Sequence, residues 1–234
     1  MSRDARWVVV PITTITFALA TLALQLGPGG IVGGAVVGFV WSLALERVAA
    51  WTSMRGWREH LAGAAIAVAV TCTCLLLGGG FLYGQVARAV LAVPSTTYAV
   101  LSAMMGPTVP YFIVVNTVME TLAVPLAVYL TWHGPRRRLI TTAAVAFFAM
   151  RVWSYLQYAP ARMEIAARPL SAADVEWYRH NLEVDYRGVL IVLCHVLFLA
   201  AALHRDTRLR WSIQSRGHDD AVRPGDGAVA ANQG

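Results

Sequence analysis

A chain of 234 residues in which 57% are hydrophobic and 14% charged carries too much apolar side chain for a water-soluble core. Its 19 basic residues are all arginine and give a net charge of +6, but they fall between apolar runs, which excludes a nucleic-acid-binding face and reads as membrane orientation. The three cysteines, Cys72, Cys74 and Cys194, lie inside apolar segments, which excludes a secreted disulfide framework and leaves them as small buried hydrophobes.

In chain order, a short basic start at 1–6 leads into an apolar run at 7–25, about 19 residues long. The run ends in Leu26, Gly27, Pro28, Gly29 and Gly30, a turn that enters more apolar sequence. No small-residue cleavage site follows it, so the segment is expected as an uncleaved helix rather than a signal peptide. The second span, 31–50, closes on Glu46 and Arg47 with Trp41 and Trp51 nearby. Glu46 sits near the helix end, where a carboxylate snorkels and pairs locally. A polar connection at 52–60 leads to the third span, 61–82, with Cys72 and Cys74 near its centre. Gly78, Gly79 and Gly80 follow, a run suited to close helix approach or a bend; it lacks the strand, spaced glycines and helix of a phosphate-binding loop.

The stretch 85–108 is mildly amphipathic and broken by Pro94 and Pro107, which predicts an interfacial or re-entrant helix. The fourth span, 110–132, carries Asn116 and Glu120 near its middle, and a basic turn with Arg136, Arg137 and Arg138 follows. The fifth, 139–158, carries Arg151. A polar connection at 159–185 holds Trp177, and the sixth span, 186–204, holds Cys194 and His195. The tail 205–234 is basic and then rich in Gly, Ala, Asp and Pro, the composition of a disordered cytoplasmic segment beyond about Ser215.

The expected architecture is an all-α polytopic bundle of six transmembrane spans in the cell membrane. Residues 1–60 form two amino-terminal helices, and 61–204 form a four-helix unit with 159–185 outside. Arginines fall on the same side at every second connection, which puts both termini in the cytoplasm.

A carboxylate at mid-span costs roughly 2.5–3.5 kcal/mol on insertion scales, so Glu120 calls for a polar partner or a watery cavity. At about 1.5 Å per residue, Glu120 lies roughly 15 Å below the outer end of its span, His195 roughly 12 Å and Arg151 roughly 10 Å. Helical periodicity puts Arg151, Tyr155 and Tyr158 on one face and Arg187, Cys194 and His195 on another. One outward-opening cavity shared by Glu120, Arg151 and His195 is therefore expected, with Asn116 sharing the Glu120 face. The bland alternative is a structural Glu120–Arg151 pair and a satisfied core histidine. Cys72, Cys74 and His195 have ligand chemistry for a soft metal, but Cys-x-Cys on a helix points its thiols about 200° apart, and no metal site is expected.

The glycine run followed by Tyr83, the amphipathic stretch ending in Pro107 and Pro110, the outer segment with Trp177, and Asn181 and Arg187 before the last helix recur together in one known pattern. In these features the chain resembles, over about 140 of its 234 residues, the anthrone oxygenase-like family of small four-helix membrane proteins. It departs from that pattern in two places. Tyr158, Ala159, Pro160, Ala161 and Arg162 stand where an Asn-x-Pro-x-Asn-like element is often seen, and two extra spans precede the unit.

The resemblance implies oxidation of a hydrophobic, polyketide-like aromatic. That chemistry needs a base, a cation to stabilise the enolate, and an apolar pocket that admits oxygen and a flat ring. His195 or Glu120 supplies the base, Arg151 or Arg187 the cation, and Tyr155, Tyr158 and Trp177 the ring walls, with Asn116 in the substrate-binding set. The carbanion itself reacts with oxygen, so no cofactor is demanded, and the sequence has no flavin, haem or nicotinamide signature. The expected partners are a hydrophobic small molecule and the lipid bilayer. Two other classes stay open: a membrane-embedded terpene or isoprenoid cyclase using Glu120 as a buried acid, and a non-enzymatic transporter or accessory protein.

Overall fold

Hydrocarbon offers no water to backbone amides, so apolar segments of this length must satisfy their hydrogen bonds internally, and they do so as helices. The computed structural model of the chain describes residues 3–24, 26–93, 100, 103, 108–160, 171–183 and 185–204, with no strand among them. The helices are α1 (Arg3–Ala23), α2 (Gly27–Met54) and α3 (Arg58–Leu91). α4 runs through Thr108–Val118, a π-helical turn at Met119–Ala123 and Val124–Thr131. α5 comprises Arg137–Trp153 and a second π turn, Ser154–Tyr158; α6 (Ala172–Glu183) and α7 (Arg187–Leu203) follow. Five of these, α1 to α5, are long and apolar enough to cross a membrane, whereas α7 is a shorter apolar helix of 17 residues. Residues Met1–Leu203 form one compact unit.

The α1–α2 hairpin is set by glycine. Gly27, at φ 70°, makes the turn, and Gly34 and Gly38 lie against the α1 backbone. A Cβ at Gly34 would stand 2.6 Å from the Phe17 carbonyl oxygen, and one at Gly38 2.7 Å from that of Thr13. With Ser42 fully buried, they form a small-residue face at four-residue spacing that lets two membrane helices approach closely. Glu46 continues the same face and is ion-paired to Arg6 of α1. The expectation of a local, snorkelling partner for Glu46 is thereby corrected: the face that carries it is turned toward α1, so its partner lies 40 residues away.

α3 is continuous through Gly78, Gly79 and Gly80 to Leu91, which corrects the expected break near residue 82 and the separate amphipathic element from residue 85. Glycine loses helix propensity but forbids nothing, and Gly79 has a packing reason. A Cβ there would meet the Tyr111 ring at 2.6 Å, and the Tyr111 hydroxyl donates to the Leu75 carbonyl at 2.7 Å. At 34 residues, α3 is roughly 51 Å long and outreaches a bilayer core of about 30 Å. Its far end meets α6, where an Arg179 terminal nitrogen donates to the Leu91 carbonyl at 3.1 Å. Ser171 and Asp174 cap α6 reciprocally. Pro94, Pro107, residues 161–170 and the tail from 205, with the expectations attached to them, lie outside the described residues.

α4 is the central element: 67% of its apolar window is buried, against 22% for α1 and for α2. Met119, Val124 and Ala127 are wholly enclosed. α7 packs on α3 and α5 through Cys194, Phe198 and Ala201, a 3–4 spaced stripe, and turns Val189, Val192 and Val196 outward. Outward aliphatic faces of this kind suit lipid rather than water.

Candidate functional site

The two π turns face the polar centre of the bundle. Each adds one residue to a helical turn and so rotates the following helix face by about 100°, and such turns recur at functional sites. In α4 the widened turn contains Glu120; in α5 it contains Tyr155, one turn beyond Arg151. Trp41 of α2 ties off the first, its indole nitrogen donating to the Thr121 carbonyl at 2.6 Å.

Between them lies an enclosed three-residue cluster. Arg151 Nε donates to Glu120 Oε1, and the Tyr155 hydroxyl donates to Glu120 Oε2 at 2.8 Å. The guanidinium sits over the Tyr155 ring, 4.5 Å from its centroid. Only 6% of the Glu120 side chain and 14% of the Arg151 side chain are exposed. A charge pair this enclosed persists because Arg151 and Tyr155 each donate to one oxygen of the carboxylate.

Asn116, one turn before Glu120, is buried. Its Nδ2 donates to the Phe112 carbonyl at 2.7 Å, an assignment that leaves Oδ1 buried with no partner among the described residues. The Thr14 hydroxyl oxygen of α1, the helix packed against both π turns, is also buried and unpartnered. An unsatisfied buried acceptor costs about 1–3 kcal/mol, and each is a place where a ligand donor or a water would be held.

The remaining predicted residues fall into two other places. Arg187 is held by Asp185, with Nη2 to Oδ2 at 2.5 Å, and lies over the Tyr158 ring at 3.4 Å from its centroid. Trp177 meets Tyr158 edge-on at 6.2 Å between centroids, so Tyr158, Trp177 and Arg187 form one group at the α5–α6–α7 end. His195 does not join Glu120. Its Nδ1 lies 3.0 Å from the Thr73 hydroxyl, across the α3–α7 seam. Thr73 already donates to the Ala69 carbonyl at 2.9 Å, so it accepts from Nδ1–H; by this assignment Nε2 keeps the lone pair.

Of the three residues expected to share one cavity, Glu120 and Arg151 are in contact, while the hydrogen bond of His195 goes to Thr73. Equal depth placed all three in one layer, but α7 packs on α3 and α5 and so directs His195 to Thr73. Cys72 is buried and Cys74 exposed, pointing apart as the helix spacing requires, and Cys194 faces the Ala143 carbonyl at 3.5 Å. Among the described residues, no three His, Cys, Asp or Glu side chains are grouped to hold a metal ion.

No protein family, curated protein or solved structure matches the chain. The sequence reading passed over Arg6 with Glu46, and Thr73 with His195. For the first, the four-residue spacing of Gly34, Gly38, Ser42 and Glu46 was the available signal. For Thr73, a threonine in an apolar span, no signal distinguishes a partner from a back-bonded helix residue.

Proposed function

We propose that this chain is an integral-membrane enzyme that oxidises a hydrophobic aromatic substrate in the manner of the anthrone oxygenase-like family, with Glu120 as the base. The observation carrying this reading is the Glu120–Arg151–Tyr155 cluster, enclosed between two π turns beside the unpartnered Asn116 carbonyl oxygen. Glu120 takes a proton from an activated CH2 group, and the negative charge passes from the carboxylate to the substrate enolate. Arg151, which balances the charge of the carboxylate at rest, and Tyr155, which donates to it, transfer their hydrogen bonds to the enolate oxygen. Net charge inside the apolar medium is then unchanged by the step, which keeps the barrier low. The carbanion reduces dioxygen and forms a C–O bond; the resulting hydroperoxide loses water and leaves a carbonyl, so CH2 and O2 become C=O and H2O. The cyclase alternative instead uses Glu120 as a proton donor to an alkene or epoxide.

We also infer six spans, with α7 as the sixth and both termini cytoplasmic in the cell membrane, on the arginine distribution. A reporter at the carboxyl end should then read as cytoplasmic and one inserted before Ala172 as external; the reverse overturns the topology. For the activity, purified membranes are supplied with an anthrone and, separately, a prenylated aromatic, and oxygen uptake and product mass are followed. Oxygen uptake with the anthrone that is lost in Glu120→Gln supports the reading. A cyclised product without oxygen uptake replaces it with the cyclase, and no turnover of either by well-folded protein removes it.

A further inference from the structure

A second polar feature lies at the opposite end of α4 and is independent of the activity proposed above. The starts of α1 and α3 and the ends of α2 and α4 surround a cavity of about 400 Å³, within the usual size of a small-molecule site. Its apolar wall includes Ala5, Ala49, Met54 and Trp132, and Ser53, Arg58, Tyr129 and His133 supply its polar side, with Ser53 and Tyr129 already donating to backbone carbonyls.

Arg58 is anchored rather than free to swing: its Nε donates to the Leu130 carbonyl at 2.8 Å, one of the orphan acceptors at the end of α4. Its two terminal nitrogens have no partner among the described residues. Of the acids near the cavity, Glu46 is engaged by Arg6, while Asp4 and Glu59 are exposed at the helix starts, and none of the three is ion-paired with Arg58 among the described residues. Arg55 lies over Trp51 at 4.3 Å and Arg137 over Trp132 at 4.1 Å, a tryptophan–arginine belt of the kind found at headgroup level.

We propose that this cavity binds one anionic phospholipid, with the phosphate on Arg58 and His133 and the start of an acyl chain against Met54 and Trp132. The combination decides the ligand class. A free anion would leave the apolar wall unused, a lipid without a phosphate would leave the fixed guanidinium unpaired, and a zwitterionic one would bring a choline cation into the arginine belt of Arg55 and Arg137. The volume holds a headgroup phosphate and the upper part of one chain, and the rest of the lipid lies along the outward aliphatic surface.

The test is native mass spectrometry of the full chain in detergent with phosphatidylglycerol, phosphatidylcholine and inorganic phosphate. One phosphatidylglycerol should be retained where phosphatidylcholine at equal concentration is not, and inorganic phosphate should not displace it. Arg58→Gln should weaken retention about tenfold, the effect of losing one hydrogen-bonded charge. Ala50→Phe, which fills the cavity and leaves Arg58 in place, should abolish it; thermal unfolding without added lipid checks that each variant is folded. Equal retention of phosphatidylcholine, or unchanged retention in a folded Arg58→Gln, overturns the proposal. Displacement by inorganic phosphate overturns it in favour of a free-anion site, and the wild-type arms decide even if both variants fail to fold.

Discussion

Two of the Arg–Glu pairs among the described residues, Glu120–Arg151 and Glu46–Arg6, have a buried tyrosine or its hydroxyl close by, and they differ in how far water reaches them. In the first, Glu120 and Arg151 are both enclosed and Tyr155 donates directly to the carboxylate. In the second, Glu46 is enclosed, but Arg6 is 48% exposed at the end of α1, and Tyr129 donates to the Ser42 carbonyl at 3.3 Å rather than to the acid. The same three residue types thus serve two purposes. A half-open pair at a helix end closes a seam between α1 and α2, whereas a closed pair at mid-span must be satisfied completely from within the bundle.

The largest expected effect follows from that enclosure. Arg151→Met strands a buried carboxylate and should destabilise the protein by about 3–5 kcal/mol, read as thermal unfolding in detergent. The double variant with Glu120→Gln should recover much of the loss. Additive effects in the double-mutant cycle would mean that the two residues do not interact, and the contrast between clusters would disappear.

Tyr155→Phe removes one hydrogen bond to a charged acceptor and should cost about 1.5–3 kcal/mol, whereas Tyr129→Phe loses a longer, neutral bond worth about 0.5–1.5 kcal/mol. Equal losses in the same unfolding assay would show that Tyr155 is no more than a packing residue. At the α1–α2 seam, Gly38→Ala forces a methyl group toward the Thr13 carbonyl and should cost about 1–3 kcal/mol, without altering oxygen uptake per folded molecule.

The smallest effect belongs to Arg6→Met, because Arg6 is 48% exposed and water screens its side of the pair. Its loss of stability should fall well below that of Arg151→Met and shrink as salt is raised, while the Arg151→Met effect stays constant. Salt-insensitive destabilisation by Arg6→Met would place the second pair in the same enclosed class as the first.

The apolar helices and the need of Glu120 and Arg151 for partners follow from sequence for one reason: apolar runs long enough to span hydrocarbon allow only helices, and ionisable residues inside them need partners. Periodicity also put Arg151 and Tyr155 on one face, where the structure places them. Partner choice lay beyond periodicity. Depth counting puts His195 level with Glu120, but only the packing of α7 on α3 and α5 sends it to Thr73. The glycine run near residue 79 suits close helix approach or a bend, and it serves the first: α3 continues through it, and the Tyr111 ring packs where a Gly79 side chain would stand. The π turns have no local signature, since one extra residue per turn is tolerated only where neighbours such as Trp41 take up the displaced backbone group. Sequence alone determined which segments are apolar enough to cross a membrane, because transfer free energy is a sum over residues. Which helix faces meet was decided by tertiary structure alone, because close packing and charge satisfaction are properties of pairs.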